Sequence, residues 1–311
     1  MPKSRIIVLG SSNTDMVVQT ERFPKPGETI LGGDFFMNQG GKGANQAVAA
    51  ARLGGDVLFV TSVGNDIFGK TALHALQKEG VDVSYTRIDQ GTPSGVAVIT
   101  IDRNGENNIV VAPGANGALL PDEVRHVEDL IQAGTLILMQ LEIPIQTVEH
   151  IISKAAHRGA KVILNPAPAQ TLSQNILNKI YLLTPNEEEA SLLTGIPVHD
   201  ISSAQLAAKI LVEKGVQNVV ITLGSKGALA LFEGTYIQVP AQKVMAVDTT
   251  AAGDVFNGAL AVALNEGQPI PDALTFASQA AAIAVTRLGA QSSSPYRNEI
   301  EKYYQTTQNQ I

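Results

Sequence analysis

The chain has 311 residues, with 22 basic against 29 acidic side chains and a formal net charge of −7. Hydrophobic residues make up 44% and charged residues 16%, which excludes global disorder, and the acidic balance without any Lys/Arg run argues against nucleic-acid or membrane-surface binding. There is no cysteine, so disulfides, thiolate nucleophiles and Cys-ligated metals are excluded.

At roughly 150 residues per domain, the length allows two units or one large α/β unit with a small appendage. No apolar run approaches the ~20 residues that span a bilayer. The apolar stretch 6–9 is too short for a signal peptide. A soluble, cytoplasmic protein is expected.

Residues 5–10 form a continuous apolar run, the pattern of a buried parallel strand. Residues 43–53 read as a helix closed by Gly54 and Gly55, followed by a strand over 56–63 and a helix over 67–79. Segments 12–40 and 94–112 resist this rhythm. The second reads as a hairpin turning at 103–106, where Asn104-Gly105 suits a type I′ turn. From 121 the alternation is regular: helix 121–133, strand 135–142, helix 145–158, strands 161–165 and 180–184, and a helix starting near 187. Helix 203–214, strand 218–223, a strand pair over 228–239 and helices 252–265 and 271–287 complete it. Such alternation predicts βαβ units and a largely parallel sheet. We expect a single α/β domain over 1–311, with 12–40 and 91–112 forming a discontinuous β lid.

DTTAAGD at 248–254 leads into a helix, and its small residues leave first-turn N–H groups open to an anion. The same pattern also fits a plain helix start with Asp254 complementing the macrodipole. Gly40-Gly41-Lys42-Gly43-Ala44-Asn45 is a second glycine-rich turn into a helix, lacking the dinucleotide spacing. Lys42 and Asn45 there suit sugar hydroxyls.

GNDIFGKT at 64–71 fits the Walker A expression around Lys70, yet its loop lacks internal glycines and Asp66 would oppose phosphates. Asp66 is better read as an N-cap. Asn186-Glu187-Glu188-Glu189 opens a helix; its acids complement the dipole or, through Asn186 and Glu189, position Mg²⁺-bound water. Thr222 to Gly227 is a strand end turning through two glycines, a hairpin or a nucleotide shelf. Glu142 closes one strand, and Asn13 and Asp15 follow the first, where α/β folds place ligand groups. The histidines at 74, 126, 150, 157 and 199 have no metal spacing.

Taken together, these elements resemble the ribokinase-like (PfkB) carbohydrate kinase family over essentially the whole chain. The resemblance rests on GSSNTD at 10–15, GGKGANQAVAAARLG at 40–54, QLE at 140–142, NPAPA at 165–169, TPNEEE at 184–189, TLGSKG at 222–227, DTTAAGD at 248–254 and TRLGAQ at 286–291. It implies a three-layer α/β/α fold with a mostly parallel central sheet and a small β-sheet lid that also makes a homodimer contact.

By resemblance the activity is ATP-dependent phosphorylation of D-ribose at the O5 hydroxyl. Asn13, Asp15, Gly41, Lys42, Asn45 and Glu142 would bind the sugar, and Asp254 would be the base. Ala251, Ala252 and Gly253 would form the anion hole, and Asn186, Thr222, Gly224, Gly227, Gly253 and Ser278 would bind ATP. Glu189 would hold Mg²⁺ through water. A K⁺-type monovalent cation would lie at Asp248, Thr250, Ala284, Arg287, Gly289 and Ser293. Val255, Gln39 and Ser278 depart from the family's common residues. Alternatives within the resemblance are a 2-deoxyribose, fructose or nucleoside kinase, or a catalytically silent sugar-binding regulator.

Overall fold

The computed structural model describes residues 5–308, the side chains of 304–308 excepted. β1 (Ile6–Leu9) is the fully buried strand that its apolar run suggests. β2 (Asn13–Gln19) then leaves the main sheet, and β3 (Phe35–Gly40) returns antiparallel to it. Helix α1 (Lys42–Arg52) follows at once. The run 56–63 is two strands, not one. β4 (Val57–Val60) pairs with β1, and β5 (Ser62–Gly64) pairs beyond helix α2 (Ile67–Lys78) with β6 (Arg87–Asp89).

β7 (Gly95–Ile101) and β8 (Asn107–Ala112) form the expected hairpin, but without a type I′ turn. Of its turn residues only Gly105 has a positive φ (80°). The Asp102 carboxylate instead accepts from the N–H groups of Asn104 and Glu106, and Asp102 N–H donates to the Glu106 carbonyl. An aspartate-centred loop thus replaces the two-residue turn.

A 3-10 turn over Gly114–Ala118 precedes a longer 3-10 helix over Pro121–Leu130, where the sequence suggested an α-helix to 133. The buried residues Val124 and Val127 are three apart, which matches the 3-10 period. β9 (Leu136–Met139), α3 (Ile145–Arg158), β10 (Lys161–Leu164), the short α4 (Gln174–Leu177) and β11 (Leu182–Leu183) continue the alternation. After them come α5 (Glu187–Thr194), α6 (Ile201–Glu213) and β12 (Val219–Thr222). β13 (Ala228–Phe232) and β14 (Thr235–Val239) are the antiparallel pair. α7 (Ala252–Asn265) and α8 (Ile270–Ala284) follow. α8 stops short of 287 because the Thr286 hydroxyl and Arg287 N–H close on the Ile283 and Ala284 carbonyls. α9 (Arg297–Gln308) has no counterpart in the sequence reading.

The main sheet has the order β14-β13-β12-β11-β10-β9-β1-β4, parallel except at β13 and β14. Alternation along β1 assigns its two faces: Ile6 and Val8 pack with α1, α7 and α8, while Ile7 and Leu9 pack with α3, α5 and α6. Both faces are covered, which is why the strands read as unbroken apolar runs. Among the described residues no helix is long and apolar enough to cross a membrane.

The two segments that broke the rhythm meet in a second sheet, β3-β2-β7-β8, with β2 and β7 parallel. One rung of it aligns Met37, Met16, Val98 and Val110 on a single face. Met37, Val98 and Val110 there are exposed.

Candidate active site

The residues expected to bind a sugar converge because two glycines let main chain approach main chain. Gly41 has φ +89°, and a Cβ there would meet Asn13 N at 2.7 Å. At Gly40 a Cβ would collide with the Asp15 carboxylate, so that carboxylate lies over bare backbone. Asn13 and Asp15 do not hang from the end of β1, as the sequence suggested, but sit on β2 of the second sheet.

Glu142, just beyond β9, accepts from the Ser11 hydroxyl (2.5 Å) and from Lys42 N–H (3.0 Å). These bonds tie it to the turn before α1. From the first turn of α1, Asn45 Nδ2 donates to Asp254 Oδ2 (2.9 Å), and Gln46 Nε2 donates to Asp254 Oδ1 (3.0 Å). Asn45 Oδ1 is buried without a hydrogen-bond partner, an acceptor left over for a hydroxyl donor.

Asp254 lies in the first turn of α7 and is 6% exposed. Burial pushes its carboxyl pKa up, opposed by the Lys42 ammonium and the Asn45 and Gln46 amides and reinforced by Glu142. Asp15 is raised to about 6 by burial, then by Glu142 and Asp254, with Lys42 opposing. Burial alone would lower Lys42; the carboxylates of Asp254, Glu142, Glu189 and Asp15 outweigh it and hold the ammonium charged.

Asp254 and Lys42 also wall a crevice of about 220 Å³, shared with Asn165, Asn186, Glu189, Thr222, Thr249, Ala251, Ala252, Gly253 and Asn257. Ala251 caps α7 in the left-handed region (φ 59°), and the cap makes no side-chain hydrogen bond. A non-glycine residue there carries strain of order 1–3 kcal/mol. The start of α7 therefore faces the crevice with no side chain bonded at its cap, although Ala252 N–H donates to the Thr249 carbonyl (3.3 Å).

Asn186 and Glu189 form a capping box on α5, and Thr222 N–H reaches back to the Pro185 carbonyl (3.0 Å). Both Glu189 oxygens accept from Asn186, at 2.9 and 3.1 Å. The sequence reading named the dipole and a hydrated Mg²⁺ for this motif and not the capping box; Asn186 and Glu189 make that box while also lining the crevice. A carboxylate already bonded in this way suits contact with a hydrated Mg²⁺ rather than direct coordination.

Gly224 and Gly227, both at positive φ, shape the turn beyond β12, which Lys226 staples to Glu187 (2.8 Å). Neither lines the crevice. Nor does Ser278, buried on α8.

Of the residues expected to hold a monovalent cation, Thr250 and Gly289 meet at Asp248, whose carboxylate accepts from Thr250 N–H (2.8 Å) and Gly289 N–H (2.9 Å). Burial would raise its pKa; the bonds from Thr250 and Gly289 outweigh that and leave it below the usual carboxylate range. Arg287 turns its guanidinium to Glu299 (2.6 Å), and Ala284 O accepts from Arg287 N–H (3.0 Å). Ser293 spends its hydroxyl proton on Ala290 O (2.8 Å). One carboxylate among backbone and hydroxyl oxygens fits an ion of low charge density. Among the described residues no group of three or more His, Asp or Glu side chains is arranged to hold a metal ion.

Asp66 is the N-cap expected of it, accepting from Gly69 N–H (2.8 Å) and Ser94 N–H (2.8 Å). The sequence reading passed over Ser11, Gln46, Asn116 and Gln140. Asn116 Nδ2 donates to Asn13 Oδ1 (2.7 Å) and so turns the Asn13 amide. The available signal for Gln46 was a second polar residue beside Asn45 in an otherwise alanine-rich helix.

A crevice at the carboxyl ends of parallel strands, walled by carboxylates and a helix N-terminus, is the ligand site of an open α/β enzyme. The pfkB family carbohydrate kinase description matches residues 3–297. The chain is 46% identical to a ribokinase of Haemophilus influenzae over 297 residues, covering 96% of this chain and 97% of the relative. It is 39% identical to a deoxyribokinase of Salmonella typhi over 299 residues, 96% and 98% of the two chains. A solved structure of Arabidopsis thaliana ribokinase complexed with ribose and ATP superposes with a TM-score of 0.89 at 35% identity, covering 96% of this chain and 98% of that one. This chain belongs to the pfkB family of carbohydrate kinases.

Proposed function

We propose that this protein transfers the γ-phosphoryl group of ATP to the O5 hydroxyl of D-ribose, giving D-ribose 5-phosphate. The observation that carries the reading is Asp254, a buried carboxylate held by Asn45 and Gln46 between the sugar-side cluster and the α7 N-terminus. Similarity to ribokinases that reaches 46% identity, against 39% to a deoxyribokinase, favours ribose over 2-deoxyribose.

Asn13, Asp15, Gly41, Lys42, Asn45 and Glu142 bind the sugar and present O5 to Asp254. The carboxylate accepts the hydroxyl proton as the phosphoryl group arrives. In a loose transition state that proton leaves late, so a strong base is unnecessary. The α7 amides at Ala251, Ala252 and Gly253 stabilise charge on the transferring oxygens. Lys42 offsets the surrounding carboxylates so that the crevice admits a polyphosphate. Asn186, Thr222, Gly224, Gly227, Gly253 and Ser278 would hold the nucleotide, and Glu189 would meet the Mg²⁺ that accompanies it through water, an ion that would neutralise phosphate charge. Asp248, Thr250, Ala284, Arg287, Gly289 and Ser293 would hold K⁺, which supplies only charge that steadies the loop leading into the anion hole.

The reading further includes a cytoplasmic location, one kinase domain over the whole chain, and a homodimer made through the lid rung on which Met37, Val98 and Val110 are exposed beside the half-buried Met16. Sedimentation tests the dimer: wild type should run as two chains and Val110→Asp as one. A coupled kinase assay over pentoses, hexoses and nucleosides tests the substrate, repeated in K⁺, Na⁺ and a bulky organic cation at equal ionic strength. Ribose should give the highest kcat/KM and K⁺ the highest rate. Preference for 2-deoxyribose would transfer the assignment, and equal rates in all three salts would remove the cation.

A further inference from the structure

Beneath the sugar-side cluster, three buried carboxamides run in one hydrogen-bonded line to Asp254. Gln140 Nε2 donates to Gln46 Oε1 (2.5 Å), and Gln46 Nε2 donates both to Asn165 Oδ1 (3.1 Å) and to Asp254 Oδ1 (3.0 Å). Asn165 Nδ2 donates in turn to the Thr184 carbonyl (3.2 Å). A backbone carbonyl can only accept, so Thr184 fixes which way the Asn165 amide lies. Asn165 Oδ1 then requires a donor, and Gln46 supplies it with one of its two N–H groups. The other is left for Asp254. Turning Gln46 over would set its oxygen against two acceptors and its nitrogen against a donor. The polarity of the line is therefore dictated from a strand end, and Gln46 itself is completely buried.

We propose that Gln46 is a positioning residue for Asp254: its N–H pins Oδ1, fixes which lone pair faces the sugar hydroxyl, and sets the pH below which the base is lost. The proposal rests on the reading of Asp254 as proton acceptor. Removing a hydrogen bond from a buried carboxylate disfavours its charged form. The other charged groups facing Asp254 are Lys42 from the start of α1, Glu142 beyond β9, Asp15 on β2 and Glu189 on α5. Lys42 favours the anion and the three carboxylates oppose it, so the two amide donors weigh heavily in the balance.

The test is kcat against pH at saturating ribose and Mg·ATP, which takes sugar capture out of the comparison. Gln46→Glu keeps the shape but puts a second acid against Asp254, so the pair shares a proton. Its acid limb should move up by about one pH unit or more, with turnover recovering on the alkaline side and the KM for ATP unchanged. Gln140→Met removes the donor to Gln46 Oε1, which loosens Gln46 although Asn165 and Asp254 still set its orientation, and should move the limb the same way by less. It serves where Gln46→Glu fails to fold. A folded variant whose turnover drops evenly at every pH, with the limb where wild type has it, would overturn the proposal. Asp254→Asn separates the failures: near-normal turnover there sinks the reading of the base, whereas an unshifted limb sinks only the role of Gln46.

Discussion

On the proposed sugar side, Lys42, Gly43, Asn45 and Gln46 leave little more than one turn of α1, and Ser11, Glu142, Asn165 and Asp254 are already joined to them by hydrogen bonds of 2.9–3.3 Å. On the nucleotide side, residues 240–251 contain no helix or strand, and Met245 (85% exposed) and Val247 stand in solvent. The first region has been ordered at the expense of burying carboxylates; the second is ordered chiefly where Asp248 ties Thr250 to Gly289. The difference assigns work. On the proposed function, the preorganised half would hold the reacting groups in place, where electrostatic catalysis is strongest, and the open half would admit and release the larger substrate.

Asp254→Asn attacks the preorganised half at its centre. It should fold and bind sugar but lose at least ~100-fold in kcat, the scale of a general base. Thermal melting and sugar titration beside the kinetics would check it, and an active, folded variant would break the division. Next in size is Asp15→Ala. The KM for ribose should rise by about tenfold or more, because a site built around a hydroxyl leaves polar groups unpaired when the contact goes. The KM for ATP should stay near wild type, and a larger shift in ATP would exchange the two regions.

A smaller effect concerns stability. Asp15 is raised from 3.8 to about 6 by burial and its acidic neighbours. Between those values the folded protein holds more protons than the unfolded one, so stability falls as pH climbs through that window and stays reduced above it. Asp15→Asn should therefore melt higher than wild type at neutral pH, on the order of 2 °C, with the gap closing toward pH 4. Scanning calorimetry across that range reads the sign directly. Smallest of all is Lys70→Ala, expected to leave turnover within a few-fold of wild type, since Asp66 is committed to capping α2.

The layers of the fold were legible because burial on both sheet faces leaves unbroken apolar strands such as β1 and β9. GGKGANQA and DTTAAGD stood out as helix starts rich in glycine and alanine, a pattern that a plain helix start also fits, so it was the family resemblance that gave them a role. What the sequence hid were pairings decided by tertiary context. Thr61 divides one apolar run between two sheets, and β2 pairs in parallel with β7, some eighty residues away. The 3-10 helix over Pro121–Leu130 shows how a three-residue spacing of valines passes for an α-helical one. Gln46, Gln140 and Asn116 stayed hidden for a different reason. A buried amide is defined by the donors and acceptors around it, and single Gln or Asn residues carry no spacing that announces them.

The most direct test of the central claim is the product itself. The protein, incubated with ATP, Mg²⁺ and ¹³C-labelled D-ribose, should give one phosphorylated pentose whose ³¹P–¹³C coupling falls on C5, and Asp254→Asn under the same conditions should give almost none. Phosphate on C1, transfer to water alone, or undiminished product from Asp254→Asn would contradict the account.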